Sequence, residues 1–424
     1  MSENRISRRS VLATGAAGVG AALAGCSGGG GGGSEGDTIK IGVLEDQSGN
    51  FSLVGTPKWR ASKLAIEEIN DNGGIMGQQI ELFDPDPQSD NQRYQQLTER
   101  LIQQEEVDAL WAGYSSATRE AIRPIINEND QLYFYTTQYE GGVCDHTIFP
   151  VGATARQQLG IVTPYLAEEF GENIYIIAAD YNFGQLSGDW VNVLAQENDY
   201  NIVGEEYIPL DETDFSSVIN RIQDEDPDFI MSMLVGANHE NFYDQRATNN
   251  MEDIPIGTST AMAQGHEHIR YDPPALTNVY AGVSYMEELG DLREGENFVE
   301  DFYDRWPDAN YLNQEAQNNY FSVYLWAQAV EEAGTFDQQE VISVLEEGRD
   351  ISAPSGNLTL DGATHHMEHE MRVAVCDEEH DISFTNNERI GPSFLRSEVE
   401  GGEGCDLREE DQTTQYVPSD VYDV

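Results

Sequence analysis

Val107-Asp-Ala-Leu-Trp-Ala112 runs directly into Gly113-Tyr-Ser-Ser-Ala-Thr-Arg119, and this stretch sets the fold class. The first six residues form a mostly apolar run of strand length, and the sequence from Ser116 to Asn127 is predicted to be a helix. A strand that passes through a short loop into a helix is the repeating unit of a parallel sheet covered on both faces. Because ligands bind such sheets outside the carboxyl ends of the strands, the loop at 113–116 is a candidate binding segment.

The same unit recurs on both sides of this stretch. Upstream, Thr38–Leu44 and Gln79–Phe83 are predicted strands, and a helix is predicted after each of them. Downstream, a second series of alternating strands and helices begins after Phe149 and continues to Ser284. The chain is therefore predicted to build two similar α/β units in succession, followed by helices up to Ala333 and by a run of short late strands.

The N-terminal 37 residues have the composition of an export signal and a tether. Arg8 and Arg9 precede an apolar, Ala- and Gly-rich run that is too short to span a bilayer, which predicts a cleaved twin-arginine signal over residues 1–25. Leu-Ala-Gly-Cys26 resembles the lipoprotein signal, in which Cys26 becomes the lipidated N-terminus; an ordinary signal peptide with a chance cysteine is the alternative. Residues 26–37 are rich in Gly and Ser and are predicted to be a flexible tether. We expect an exported protein, anchored to the outer face of the cell membrane.

The charge of the chain excludes one class of partner. The formal net charge is −55, and the only lysines are Lys40, Lys58 and Lys63. Acidic residues are spread along the chain, which indicates a solvated surface and resembles the composition of proteins from high-salt organisms, where salt screens the self-repulsion. Nucleic-acid binding requires a basic face, so we expect no nucleic-acid partner.

The loops that follow the predicted strands are rich in Ser, Thr, Tyr and Asn. They cover residues 45–50, 113–116, 136–142, 180–183, 236–239 and 259–264. Two sheets that face each other would line a shared cleft with these loops. Hydroxyl groups and aromatic rings suit a small, neutral, hydrogen-bonding solute, and no cofactor is expected.

Cysteines and histidines suggest neither a metal site nor a catalytic one. If Cys26 is lipidated, Cys376 and Cys405 are the better disulfide pair because they lie in the same C-terminal region, and Cys144 is predicted to be a buried free thiol. The histidines cluster but none has the spacing of a structural zinc site, so no metal is expected; they are His266, His268, His365, His366 and His369. Gly113-Tyr-Ser-Ser-Ala117 lacks the last glycine of a nucleophile elbow, and Cys144 beside His146 is a weak pair, so we expect no enzyme.

The chain resembles the type I periplasmic binding proteins, in particular the receptors for urea and short-chain amides. The resemblance runs from Thr38 to the C-terminus and rests on several segments in order. They are Gly42-Val-Leu44, Ala65-Ile-Glu-Glu-Ile-Asn70 with Gly73-Gly-Ile-Met-Gly77, Gly113–Arg119, Gln138-Tyr-Glu-Gly141 before Cys144, Gly152–Gln158, Asp180-Tyr181, Val235-Gly236 and Ala353-Pro-Ser-Gly356 before His365-His366.

The resemblance implies an α/β fold of two doubly wound parallel-sheet lobes joined by a three-segment hinge. The implied lobes are residues 38–150 plus 285–350, and residues 151–284 plus 351–424. The resemblance also implies a set of ligand-binding residues, which are Tyr114, Ser115, Ser116, Tyr135 (behind Thr137), Thr137, Tyr181, Phe183, Val235, Gly236 and Thr260. An ABC permease and its ATPase are the implied protein partners.

Several functions fit this pattern. Urea or a short-chain amide is the expected solute; a branched-chain amino acid is the competitor and would need charged groups to clamp its ends, with Glu45 as a candidate. An amidase is the alternative from a different class, and a receptor that senses a solute without importing it is a further possibility. The sequence departs from the pattern at Ala261-Met-Ala-Gln264, where the family tends to carry more acidic residues.

Overall fold

The computed structural model describes residues 38–292, 297–392 and 404–424. The predicted signal, the predicted tether and Cys26 therefore lie outside the described residues. Within the described ranges, no helix combines the length and the apolarity that crossing a membrane would require.

The first unit is built on five parallel strands in the order β2-β1-β3-β4-β6. Its elements in chain order are β1 (Ile39–Leu44), α1 (Ser52–Asp71), β2 (Ile80–Phe83), α2 (Asn91–Arg100), β3 (Ala109–Ala112), α3 (Ser116–Glu128), β4 (Tyr133–Tyr135), β5 (Val143–Asp145, outside this sheet) and β6 (Ile148–Pro150). The helix predicted after the strand Thr38–Leu44 is confirmed as α1, whose apolar residues Ala61, Leu64, Ala65 and Ile69 recur at helical spacing and are buried on one face.

The second unit has five parallel strands in the order β11-β10-β9-β7-β8. Its elements are α4 (Ala155–Phe170), β7 (Asn173–Ala179), α5 (Asn182–Asn198), β8 (Asn201–Ile208), α6 (Ser216–Glu225), β9 (Phe229–Met233), α7 (Gly236–Thr248), β10 (Ile256–Thr258), α8 (Glu267–Arg270) and β11 (Val279–Val283). The two successive α/β units predicted from the sequence are confirmed.

The remaining chain returns to the first unit and then extends the second sheet. It contains α9 (Phe298–Arg305), α10 (Gln314–Ala333), α11 (Gln338–Glu346), β12 (Arg349–Ala353), β13 (Gly356–Asp361), β14 (His366–Cys376), β15 (Ile382–Ile390) and β16 (Thr413–Gln415). Strand β14 pairs antiparallel with β11, so the second sheet is mixed and not purely parallel. In the first unit, the Trp326 ring on α10 meets Trp111 of β3 edge to face at 5.9 Å between ring centroids.

Strands β12 and β13 belong to the second sheet, but they pack against the hydrophobic core of the first unit. Ile351 and Leu358 share a buried apolar cluster with Ile41 and Trp111 of the first unit. This packing differs from the predicted division after residue 350, which assigned both strands to the second lobe. The long strand β14 connects the two units, because its first half pairs with β13 and its second half with β11.

Side chains on β14 hold the other two segments that connect the units. The His369 ring nitrogen is 3.1 Å from the carbonyl oxygen of Val151, between β6 and α4. The Arg372 guanidinium donates to the carbonyl oxygen of Ser284 at 3.1 Å, just after β11. Three segments of the chain therefore pass between the units side by side and are tied to one another.

The predicted disulfide between Cys376 and Cys405 is wrong. The bond joins Cys144 to Cys405, with 5.7 Å between their Cα atoms, and Cys376 is free and buried. The physical reason is strand pairing: β16 lies antiparallel to β5, which brings the C-terminal segment beside Cys144. Cys376 ends β14 and faces a core of the second unit, so closeness in sequence did not mean closeness in space.

Candidate functional site

A small cavity lies between the carboxyl ends of the strands of the two units. Ten residues line it, namely Tyr114, Ser115, Ser116, Thr137 and Gln138 from the first unit, and Tyr181, Phe183, Val235, Thr260 and Gln264 from the second. Its empty space is about 250 Å³, counting its open mouth. Because part of that space is open to solvent, the enclosed room suits only a small molecule.

The loop between β3 and α3 places two hydroxyl groups at the cavity. Gly113 has φ +88°, a left-handed conformation that glycine adopts without strain, and it turns the chain away from β3. The Ser115 hydroxyl then accepts from the backbone N–H of Thr118 at 3.1 Å and caps α3. Ser116 is the first residue of the helix, where the backbone N–H groups have no intrahelical partner. The cavity therefore combines a side-chain hydroxyl with helix N–H donors.

A fully buried lysine supports the neighbouring loops. The Lys58 ammonium group donates to the Gly113 carbonyl oxygen at 2.7 Å and to the Thr137 hydroxyl at 2.8 Å. Its charge is balanced by the Glu45 carboxylate at 2.9 Å, and both side chains have no exposed surface. Burial raises the pKa of Glu45 to about 7, although the charge of Lys58 acts in the opposite direction. This ion pair therefore holds two cavity loops, one through the Gly113 backbone and the other through the Thr137 side chain.

A second buried ion pair lies behind Ser116. The Ser116 hydroxyl donates to Glu140 Oε2, and the Arg119 guanidinium donates to Glu140 Oε1 at 2.7 Å. Burial acts to raise the pKa of Glu140, but the Arg119 charge and the hydrogen bonds outweigh it and hold this pKa below its ordinary value. From the second unit, the Trp190 indole N–H donates to the Glu140 carbonyl oxygen at 2.9 Å.

The second unit contributes rings, an aliphatic group, a hydroxyl and an amide. Tyr181 immediately precedes α5 and Phe183 lies in its first turn, with 6.1 Å between their ring centroids. The Thr260 hydroxyl donates to the Leu234 carbonyl oxygen at 2.8 Å. The Gln264 side chain connects the two units, because its Oε1 accepts from the Tyr114 hydroxyl at 3.1 Å.

Buried amides and a carboxyl group continue this network behind the cavity. Gln264 Nε2 donates to Glu315 Oε1 at 3.1 Å. Gln138 Oε1 accepts from the amides of Gln158 and Gln314, both at 2.6 Å, which fixes the orientation of the Gln138 side chain. Gln138 Nε2 and Glu315 Oε2 are buried without a hydrogen-bond partner. Since buried polar groups are normally paired, the free Gln138 N–H groups at a cavity wall indicate a donor for a bound molecule.

Replacing Glu315 with Gln is expected to change how stability depends on pH. Burial raises the pKa of Glu315 to about 7, so the folded state holds this proton more tightly than the unfolded state. That stabilisation is complete below the ordinary carboxyl pKa and is lost as pH rises through 7. We expect Glu315→Gln to match the wild type at pH 5 and to exceed it at pH 8 by up to about 3 kcal/mol, measured by guanidinium unfolding.

The control for this prediction is Glu340→Gln, which removes one charge from an exposed position on α11. It should shift stability by less than about 0.5 kcal/mol at both pH values. A Glu315→Gln variant that is less stable than the wild type at pH 8 would contradict the prediction.

Eight of the ten predicted site residues line this one cavity: Tyr114, Ser115, Ser116, Thr137, Tyr181, Phe183, Val235 and Thr260. The other two do not. Tyr135 is fully buried behind the wall and donates to the Tyr114 carbonyl oxygen at 2.8 Å. Gly236 is the exposed first residue of α7, with φ +62°, and it does not line the cavity.

Sequence reasoning missed Gln138 and Gln264 as cavity residues. Both lie in loops that follow predicted strands, at 136–142 and 259–264, so a prediction that included every polar residue of these loops would have contained them. Glu45 was the candidate for binding a charged end of an amino acid. It forms an ion pair with Lys58 and does not line the cavity. The histidines lie elsewhere: His366 contacts Tyr139, His369 contacts Val151, and His268 pairs with Glu288 at 2.7 Å. In the described ranges, no three His, Cys, Asp or Glu side chains form a group that could hold a metal ion.

Comparison with known proteins agrees with this architecture. A family model described as "Periplasmic binding protein" matches residues 38–381. The Leu/Ile/Val-binding protein homolog 7 of Brucella abortus (strain 2308) is 24% identical over 332 residues, which cover 72% of this chain and 80% of that protein.

Solved structures share the fold. A solute-binding protein of an ABC transporter from Rhodopseudomonas palustris, in complex with 3,4-dihydroxybenzoic acid, has a TM-score of 0.73 at 17% identity, covering 84% of this chain and 97% of that one. A branched-chain amino acid transporter substrate-binding protein from Streptococcus pneumoniae, in complex with isoleucine, has a TM-score of 0.71 at 19% identity, covering 84% and 99%. Two α/β units, a cavity between them and a family match over most of the chain lead to one conclusion: the chain is a solute-binding protein and belongs to the periplasmic binding protein family.

Proposed function

We propose that the chain is an extracytoplasmic receptor that binds urea or a short-chain amide and delivers it to an ABC importer. One observation carries the choice of solute: none of the ten residues that line the cavity is Asp, Glu, Lys, Arg or His. A carboxylate or an ammonium group would lose its hydration there without meeting an opposite charge, which is costly in a closed site. A neutral solute avoids that cost.

The hydrogen-bonding pattern of the cavity supports a solute that carries N–H groups. The Ser116 hydroxyl donates to Glu140, the Thr137 hydroxyl to the Gly113 carbonyl oxygen at 3.2 Å, and the Thr260 hydroxyl to the Leu234 carbonyl oxygen. Because a hydroxyl has one proton and two lone pairs, these groups keep only acceptor capacity for a ligand. The free Gln138 N–H groups and the N-terminus of α3 supply donors for a carbonyl oxygen. An amide presents this combination of two N–H bonds and one oxygen.

A branched-chain amino acid is the second candidate, because the names of the Brucella relatives refer to leucine, isoleucine and valine. Such a ligand needs a carboxylate for its ammonium group. None of the nearby carboxylates lines the cavity: Glu45 pairs with Lys58, Glu140 pairs with Arg119, and Glu315 accepts from amides through Oε1 while its Oε2 has no partner. The cavity therefore favours the neutral solute over the zwitterion.

The proposed working cycle follows from the architecture. Solute binds while the two units are apart, and they close about the segments at Val151, Ser284 and β14, as in other hinge motions. The Tyr114–Gln264 hydrogen bond then joins the units across the cavity. We further propose that Cys26 anchors the chain to the membrane through a lipid, that a permease and its ATPase accept the closed form, and that the acidic surface is adapted to high salt.

Isothermal titration calorimetry with urea, acetamide, formamide and leucine tests the proposal. The titrations should be run at high salt, which screens the net charge of −55. We expect urea or one of the amides to bind and leucine to give no heat of binding. Saturable binding of leucine without binding of any amide would overturn the proposed solute class.

A further inference from the structure

The position of the Ser116 proton is controlled by a residue outside the cavity wall. Glu140 is 1% exposed and accepts the Ser116 proton at Oε2. The other carboxylate oxygen, Oε1, accepts from Arg119 at 2.7 Å and from the Gln415 side chain of β16 at 2.9 Å. Arg119 is itself fully buried, and its guanidinium carbon lies 4.8 Å from the Tyr139 ring centroid. The carboxylate is therefore held ionised and in a fixed orientation.

We propose that Glu140 is a specificity-determining positioning residue: by accepting the Ser116 proton, it presents the Ser116 hydroxyl to the cavity as a hydrogen-bond acceptor and selects solutes that carry N–H groups. This inference rests on the proposed function and names the residue that sets its solute class. A site whose hydroxyl is fixed as a hydrogen-bond acceptor binds a ligand that places a donor there. It rejects a ligand of the same shape that places an acceptor there, because two acceptors then face each other.

Replacing Glu140 with Gln should reverse this polarity. Arg119 and Gln415 both donate to Oε1, so the amide oxygen of the new side chain is held at that position. Its NH₂ group then occupies the place of Oε2 and donates to Ser116. The Ser116 proton is released toward the cavity, where it opposes an N–H group of the solute.

The test compares acetamide with acetone, which has nearly the same shape but no N–H group, by calorimetry or by competition with the full-length protein. We expect the wild type to prefer acetamide, and we expect Glu140→Gln to weaken acetamide binding by about 10- to 100-fold while changing acetone binding by less than about threefold. Glu120→Gln is the matched control. Glu120 also pairs with Arg119, at 2.9 Å from Nε, but it is not one of the groups bonded to Ser116, so acetamide affinity should stay within about twofold.

A double-substitution cycle separates positioning from a general structural effect. In a Ser116→Ala background there is no hydroxyl to reorient, so adding Glu140→Gln should change acetamide affinity by no more than about twofold. Persistence of the full loss in that background would overturn the inference. If Glu140→Gln does not fold, Ser116→Ala alone decides: it should weaken acetamide and leave acetone unchanged, and an equal loss for both solutes would overturn the inference.

The outcomes also distinguish this inference from the function on which it rests. Amide binding by the wild type with unchanged selectivity in Glu140→Gln would overturn the role of Glu140 alone. Binding of acetate in place of acetamide by the wild type would overturn the proposed function and the acceptor role of Ser116 together.

Discussion

Lys58→Met is expected to lower the free energy of unfolding by about 3–5 kcal/mol, the cost of removing one partner of a buried ion pair. The Lys58 ammonium group balances Glu45 and donates to Gly113 and Thr137, and water cannot replace it at Glu45 because both charged side chains are fully buried. Unfolding should be followed in guanidinium chloride, because urea is a candidate ligand. Thr137 also loses its donor, so solute affinity should fall together with stability.

Two further variants test the cause of this loss. Adding Glu45→Gln to Lys58→Met removes the uncompensated charge and should restore at least half of the lost stability. Lys63→Met changes another lysine of α1, which is partly buried and lies 5.5 Å from the Trp59 ring centroid. It should cost less than about 1 kcal/mol. A double variant no more stable than Lys58→Met would show that the charge of Glu45 is not the cause.

Most of the fold could be predicted because the sequence patterns that indicate its strands and helices lie within short segments of the chain. Apolar runs of strand length and the helical spacing of Ala61, Leu64, Ala65 and Ile69 appear within short windows of the sequence, and the structure follows them. The family match confirms the type of fold and that the chain is a binding protein and not an enzyme. The branch of the family, the lipid anchor and the roles of individual site residues stay predictions.

Eight predicted residues meet at one cavity for a related reason. Loops at the carboxyl ends of parallel strands lie at the same edge of a sheet, so residues such as Thr137 and Tyr181 could be placed there without knowing the rest of the fold. Gln138 and Gln264 were not predicted because the sequence does not indicate which groups a glutamine side chain will hydrogen-bond. Their roles depend on Gln314 and Glu315 of α10, which arrive from a distant part of the chain.

The C-terminal segment was the least predictable part, since its place depends on pairing across most of the chain. Strand β16 is only three residues long, yet it pairs with β5 and brings Gln415 to Glu140. The segment then reaches the second unit, where the Gln196 side chain donates to the Asp423 carbonyl oxygen at 3.0 Å. It therefore contacts both units, and the disulfide fixes its start to the first of them.

Cys405→Ser is expected to lower the free energy of unfolding by about 2–4 kcal/mol, the typical contribution of a disulfide. The bond from Cys144 closes 261 residues of separation and so restricts the unfolded chain strongly. Residues 404–424 should also lose their covalent attachment beside β5 and keep only noncovalent contacts, which exposes them to proteases before the rest of the chain unfolds. Guanidinium unfolding and limited proteolysis, both without reductant, measure the two effects.

The controls identify the bond as the cause. Cys144→Ser and the double variant should match Cys405→Ser, because all three lack the same bond, and wild-type protein treated with a reductant should approach them. Cys376→Ala removes the buried free thiol and should cost about 1 kcal/mol or less, since it deletes only one small apolar group. If Cys376→Ala were as destabilising as Cys405→Ser, or if the double variant lost clearly more than either single one, the pairing of Cys144 with Cys405 would be contradicted.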